Sequence, residues 1–330
     1  MEGDFLVVLV VAVALGFDFT NGFHDTANAV ATSISTRALS PRLAVAIASV
    51  ANLVGALVTT AVASTVGKGI IDTGLATTKT VLAALIGAIA WNLLTWWLGL
   101  PSSSSHALIG GLIGAAIAQS GTEGVQWHGV THKVVIPALL APTIAFAAGF
   151  LVLIVIFWLF QRMSSGAANR TFRLGQLGSG TFLAYTHGSN DAQKTMGVIA
   201  LALFSNGSID HFYIPTWVKI TAGLAIAAGT YVGGWRIMRT LGQRLYKIEP
   251  AAGFSAQVTA GAVIDVATRL GYPLSTTHVI SGGVLGAGST KSLSAVRWGI
   301  AGNIVVAWFL TIPAAALVAA ALYWPVEAIF

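Results

Sequence analysis

Two short stretches of this chain put charged and amide side chains inside long apolar runs. The first is Asn21-Gly22-Phe23-His24-Asp25-Thr26-Ala27-Asn28, the second His187-Gly188-Ser189-Asn190-Asp191-Ala192-Gln193-Lys194. Asp18 and Asp265 are similarly embedded. A lone charge at the centre of a bilayer costs roughly 2.5–3.5 kcal/mol, so these residues must face a wet cavity, an ion or one another. Asp191 and Lys194 are three apart, on one face of a helix, where they can pair. Carboxylates flanked by Asn side chains and unwound carbonyls are hard oxygen donors that suit Na+. A carboxylate in a low dielectric can equally hold a proton, and the residue types leave both open. His24 and His187, beside the aspartates, are candidate proton carriers.

Two other stretches offer the opposite chemistry. Pro101-Ser102-Ser103-Ser104-Ser105-His106 and Pro273-Leu274-Ser275-Thr276-Thr277-His278 each precede a short apolar segment. A hydroxyl-rich turn that opens a helix presents free N–H groups at a positive dipole end, which binds anions. Two such turns meeting would line a small pocket with donors but few fixed charges, suited to a tetrahedral oxyanion carried with cations. The plainer reading of Ser103–Ser105 and Ser275–Thr277 is helix capping. His106 and His278 sit at equivalent places and can donate to the anion or shape the turn. No pair of histidines has metal-site spacing with a carboxylate on one helix, so no metal ligands are assigned; His128, His132 and His211 fall in loops.

The elements that must hold these groups are membrane helices. Of 330 residues, 55% are hydrophobic and 8% charged, against about 25% charged in soluble domains. That excludes a soluble enzyme, a disordered chain and a nucleic-acid-binding domain. The absence of cysteine excludes disulfides and thiolate sites. At about 20 residues per crossing, the apolar segments are 5–35 and 174–205 (both interrupted), 43–63, 79–98, 106–119, 134–160, 217–235, 251–270, 279–290 and 298–324. Segments 106–119 and 279–290 are short and read as arms of re-entrant hairpins. Eleven basic residues, from Arg37 to Arg297, fall in loops that can share one side, against Lys68, Lys79 and Lys133 on the other. The positive-inside rule makes the richer side cytoplasmic, which puts both termini outside. The net charge of +6 is then a topology signal. The start, Met1-Glu2-Gly3-Asp4, lacks a basic flank and reads as leading into the first span, not as a secretory leader.

The chain repeats itself. Asp25 and Asp191 align at an offset of 166, and the Ser/Thr turns at 172, with Gly110, Gly111 and Gly114 meeting Gly282, Gly283 and Gly286. The loop after the first half's leading segment is basic and its counterpart, 206–216, is not, so the halves are inverted. The expected fold is an all-α polytopic membrane protein of two inverted-topology repeats, 1–160 and 174–330, with broken helices and re-entrant helical hairpins, joined by a short cytoplasmic linker, 161–173. Such pairs mark secondary transporters with a midplane site. An intramembrane enzyme using Asp25 and Asp191 as a pair would need a water-activating geometry and is disfavoured, since nothing like a protease signature surrounds them.

Both Asp stretches, continued through Ala29-Val30-Ala31-Thr32 and Thr195-Met196-Gly197, together with Pro273–His278, resemble the inorganic phosphate transporter (PiT) family, of the bacterial low-affinity permease type. The resemblance runs nearly end to end. It implies a non-enzymatic symporter in the cytoplasmic membrane, embedded in lipid, often dimeric, without a resident cofactor, that carries phosphate with H+ or Na+. Phosphate ligands would be Ser103, Ser104, Ser105, Ser275, Thr276 and Thr277 with Asp25 and Asp191. Cation or proton coupling would fall to Asp25, Asn28, Asn190, Asp191, His24 and Lys194. Sodium-driven relatives tend to carry Asn before the first Asp, where this chain has His24; that favours protons, with a neutral metal–phosphate complex as a form of the substrate. The short linker omits the long central loop of many relatives. Sulfate is the alternative anion, although only a protonated phosphate can donate to a carboxylate.

Overall fold

The computed structural model describes residues 2–330, with side chains from Phe5 onward apart from Gln243. The Met1-Glu2-Gly3-Asp4 start read as leading into the first span therefore lies outside the described side chains. The helices are α1 (Glu2–Ser35), α2 (Pro41–Ala56), α3 (Ala61–Gly69), α4 (Thr78–Leu98), α5 (Ser104–Ser120), α6 (Trp127–Gly129), α7 (Ile136–Phe160), α8 (Ser165–Ser205), α9 (Thr216–Val232), α10 (Trp235–Arg239), α11 (Pro250–Arg269), α12 (Thr276–Ser289) and α13 (Trp298–Ile329). A π turn at Val130–Val135 joins α6 to α7. Among the described residues the only β pairing is an isolated bridge between Ile71 and Val125. Phe5–Ser35, Thr78–Leu98, Trp127–Phe160 and Trp298–Ile329 are long and apolar enough to cross a membrane, as are α2 and α3 together, bent by 70°.

Two expectations need correction. Segments 5–35 and 174–205 were expected to break at their Gly/Asn/Asp motifs, but α1 and α8 run through them as continuous helices. The reason lies in the glycines. Gly22 and Gly188 sit where a Cβ would strike the backbone of a neighbouring helix, at Ile226 and Asn52 respectively. They permit close approach and do not end the helix. Segment 43–63, expected as one span, is divided at 57–60, and its second arm reaches Gly69.

The two hairpin bends, α4–α5 and α11–α12, are the same loop built twice. Gly99 and Gly271 take φ of 67° and 74°, the left-handed turn that glycine adopts without a steric cost. Leu100 N–H then donates to Thr95 O at 2.9 Å, and Tyr272 N–H to Ala267 O at 2.8 Å, closing each helix end as a Schellman motif. The prolines follow. Ser103 and Ser275 then cap α5 and α12, accepting from His106 N–H at 3.1 Å and His278 N–H at 3.3 Å.

The packing crosses between the halves. α1 lies on α9 and α8 lies on α2, while α7 packs on α11 and α12, and α13 on α4 and α5. Each half's last helix thus covers the other half's hairpin. The repeated glycines make this possible. A Cβ at Gly110 or Gly114 would meet the α13 carbonyls of Ile312 or Ala316, and one at Gly282 or Gly286 the α7 carbonyls of Pro142 or Phe146. Small residues at such crossings let membrane helices associate by close backbone contact.

Gly114→Val and Gly286→Val should therefore each destabilise the protein by about 1–3 kcal/mol through overpacking, read as a lower Tm in detergent. Gly178→Ala, with nothing within 4 Å of the added carbon, should not lower Tm and gains about 0.5–1 kcal/mol of helix propensity.

Candidate functional site

The hairpin tips meet the two aspartate motifs in the middle of the molecule. α1 carries His24, Asp25 and Asn28 to this point, α8 carries His187, Asp191 and Lys194, and all are buried. The helix starts of α5 and α12 complete it. Ser105 Oγ donates to Leu274 O at 3.1 Å, so the tips touch each other directly.

Asp25 and Asp191 converge. Thr276 Oγ1 stands between them, 3.5 Å from Asp25 Oδ2 and 3.4 Å from Asp191 Oδ2. From the other tip, Ser104 Oγ lies 3.3 Å from Asp25 Oδ1. His24 Nδ1 is 2.7 Å from the same oxygen, and its Nε2 is held by Thr95 Oγ1 at 3.1 Å and Ser102 Oγ at 3.3 Å. On α8, Lys194 Nζ donates to Asp191 Oδ1 at 2.5 Å, to Ser105 Oγ at 2.5 Å and to Leu274 O at 2.8 Å. The pairing expected from their spacing therefore forms, and the same ammonium also ties the two tips together.

The repeat organises these contacts into crossed pairs. Asn28 of α1 donates to Thr277 Oγ1 of the second tip at 2.8 Å. Its equivalent at offset 166, Lys194 of α8, donates to Ser105 of the first tip, itself the equivalent of Thr277 at offset 172. Within each half, by contrast, His24 is held by Thr95 of α4, and its equivalent Asn190 donates to Thr268 Oγ1 of α11 at 2.8 Å. One scaffold thus holds two unlike sets of side chains, His and Asn in the first half against Asn and Lys in the second.

Of the expected site residues, Asp25, Asp191, Ser104, Ser105, Thr276, Thr277, Asn28, His24 and Lys194 come together. Ser103 and Ser275 serve as caps. Asn190 bonds to the α11 end of the second hairpin, at Thr268 and the Tyr272 carbonyl. The expected unwound carbonyls are absent, because α1 and α8 keep their backbone bonds. Ligands must come from side chains and from the first-turn N–H groups of α5 and α12, which lack intrahelical acceptors. His106 and His278 face each other edge-on at 4.6 Å, with His278 stacked on Trp308 at 4.0 Å. Asp265 is not at the site; it pairs with Arg269 at 2.8 Å.

Sequence reasoning did not foresee that Asp25, His187 and Asp191 bring ligand atoms within 4.8 Å of one another, a spacing that can hold a metal ion. His187 Nε2 lies 3.3 Å from Asp191 Oδ2, and its Nδ1 is held by Asn52 Oδ1 at 3.0 Å. The four-residue step from His187 to Asp191 was the available signal for the first contact. Asn52, a lone amide in an apolar helix, was the signal for the second.

A polytopic helical protein with two hairpin tips closing on paired carboxylates is built as a transporter. The phosphate transporter family matches residues 21–319, and the chain belongs to that family. It is 53% identical over 325 residues to a Mycobacterium tuberculosis (strain ATCC 25618 / H37Rv) protein named "Probable low-affinity inorganic phosphate transporter", covering 97% of this chain and 77% of that one. A Rhizobium meliloti (strain 1021) protein of the same name is 48% identical over 324 residues, covering 98% and 97%. The fold matches a solved structure titled "The sodium-dependent phosphate transporter" with a TM-score of 0.89 and 22% identity, covering 98% of this chain and all of that one. The chain is therefore a multi-pass membrane protein among transporters and not an enzyme. None of these names refers to sulfate.

Removing one partner of a buried ion pair costs about 3–5 kcal/mol. Lys194→Met should therefore lower Tm in detergent sharply, and adding Asp191→Asn in the same chain should recover most of the loss.

Proposed function

We propose that this protein imports inorganic phosphate across the cytoplasmic membrane by cation symport, with protons as the coupling ion. The observation that carries this reading is the meeting of both hydroxyl-bearing tips with both aspartates at one buried point. A phosphate there can accept from Ser104, Ser105, Thr276, Thr277 and the first-turn N–H groups, where the helix dipoles favour an anion. A protonated phosphate can donate in turn to Asp25 or Asp191. In the arrangement described above, Thr276 and Lys194 occupy those partners, so substrate binding exchanges internal contacts for contacts to the anion. Such an exchange keeps the anion from being held too tightly to be released.

Two anionic carboxylates at an anion site require positive charge to travel with the substrate. Lys194 supplies one fixed charge; the transported cation supplies the rest. His24 beside Asp25 supports protons over sodium. The Asp25, His187 and Asp191 cluster supports a divalent metal carried as a neutral metal–phosphate complex, here part of the substrate. The crossed packing of the hairpins supports two inverted repeats, 1–160 and 174–330, alternating around this site. We place both termini outside, from the distribution of basic loops, and read the protein as a lipid-embedded homodimer.

Reconstituted protein should accumulate labelled phosphate when a pH gradient is imposed and should fail to do so on a sodium gradient. Asp25→Asn and Asp191→Asn should each abolish uptake while the protein remains inserted. Ser104→Ala and Thr276→Ala should raise the apparent KM for phosphate by roughly tenfold to a hundredfold, as expected from losing a charge-assisted hydrogen bond of about 1.5–3 kcal/mol.

A further inference from the structure

Asp18 is a buried carboxylate that the site described above does not use. It lies on α1, seven residues and about 10.5 Å before Asp25. Its exposure is 0%, and neither Oδ1 nor Oδ2 has a hydrogen-bond partner. The polar groups beside it are Thr195 and Asn21. Thr195 Oγ1 and Asn21 Oδ1 are likewise buried and without partners. Three polar side chains are thus gathered with their oxygens unsatisfied, and one of them, Thr195, directly follows Lys194 on α8.

An ionised carboxylate cut off from water beside only one hydroxyl and one amide is costly, and such a group holds a proton instead. The charges facing Asp18 are Asp191 and Lys194 of α8. The other helices on α1 set none against it: Arg236 of α10 donates to the Trp97 carbonyl, and Arg239 and Arg244 lie by the Ser35 end of α1, far from Asp18. Arg42 of α2, Lys79 of α4 and Lys219 of α9 lie near element starts. His106 of α5 and His278 of α12 face each other, and Asp265 of α11 is paired with Arg269. With Asp18, Asp25 and Asp191 all ionised, Lys194 would offset one charge of three before any anion arrived. A metal cation fits poorly. It takes about six oxygen ligands, whereas this cluster offers one carboxylate, one amide oxygen and one hydroxyl, and the continuous α1 and α8 keep their carbonyls.

We propose that Asp18, with Thr195 and Asn21, is a second proton-loading site, separate from the anion site and coupled to it through the charges of Asp191 and Lys194. The carboxylate takes a proton from the outer water as phosphate binds and returns it to the inner water as phosphate leaves. This rests on the proton-symport reading above, and the experiment separates the two.

Purified wild type and Asp18→Asn are reconstituted with labelled phosphate. Accumulation on a pH gradient and phosphate–phosphate exchange at equal pH are then measured. Exchange returns the loaded carrier and needs no net proton release, and asparagine stands in for the neutral acid. Asp18→Asn should therefore keep exchange, with a weaker dependence on pH than wild type, and should accumulate several-fold less phosphate on the gradient than wild type. Accumulation at the wild-type level overturns the proposal. So does loss of exchange in inserted protein, which would make Asp18 part of anion binding. If Asp18→Asn fails to insert, Thr195→Val is the test: removing the hydroxyl beside the carboxyl should shift the pH of half-maximal uptake, and an unmoved midpoint overturns the proposal. Wild type that accumulates on sodium and ignores pH removes the coupling reading itself, a result read on the unaltered protein.

Discussion

The whole arrangement depends on the cost of burying carboxylates in a chain made to cross a bilayer. Asp25 and Asp191 sit in helices whose other faces pack against apolar neighbours, with no bulk water to solvate them. Their compensation has to be delivered by other parts of the chain. It comes from two helix starts, α5 and α12, which bring hydroxyls, dipole ends and, through Ser105 and Leu274, the anchors of Lys194. Every larger feature serves that delivery: the left-handed glycines that end α4 and α11, the prolines behind them, and the glycine rows that let α13 and α7 press the hairpins inward.

The same compensation explains how the site can work on an anion. A pocket with several fixed positive charges would hold phosphate too tightly to release it. In the proposed function, hydroxyls, helix starts and one lysine already committed to Asp191 give a neutral to negative environment, which an anion enters only with a cation. Coupling is then a consequence of electrostatics. The crossed bonds Asn28–Thr277 and Lys194–Ser105 tie each half's long helix to the other half's tip. Movement of one half against the other must therefore pass through the site.

Much of this was legible in the residues. The matched Pro-(Ser/Thr) turns announced two hairpins of one design, and the spacing of Asp191 and Lys194 announced their pair. The glycines were legible as repeated but not as to purpose. Gly22 and Gly188, inside polar motifs, read as helix breakers, because sequence alone cannot tell a backbone bend from a neighbour's close approach. The contacts across the halves were beyond reach for a related reason. Asn28 meets Thr277 only because α1 and α12, far apart in the chain, pack against each other, and nothing local to either residue records that. The isolation of Asp18 was hidden in the same way, since a missing partner becomes visible only once the neighbours are in place.

The central claim is that the two tips meet, and the chain's lack of cysteine makes it directly measurable. Cysteines placed at Ser105 and Leu274, with a protease site inserted in the 161–173 linker, can be treated in membranes with a short bifunctional thiol reagent and then cleaved. Contact between the tips predicts that the halves stay covalently joined in the double variant and separate in each single variant. Halves that separate in the double variant under all conditions would show that the tips do not converge, and the site described here would not exist.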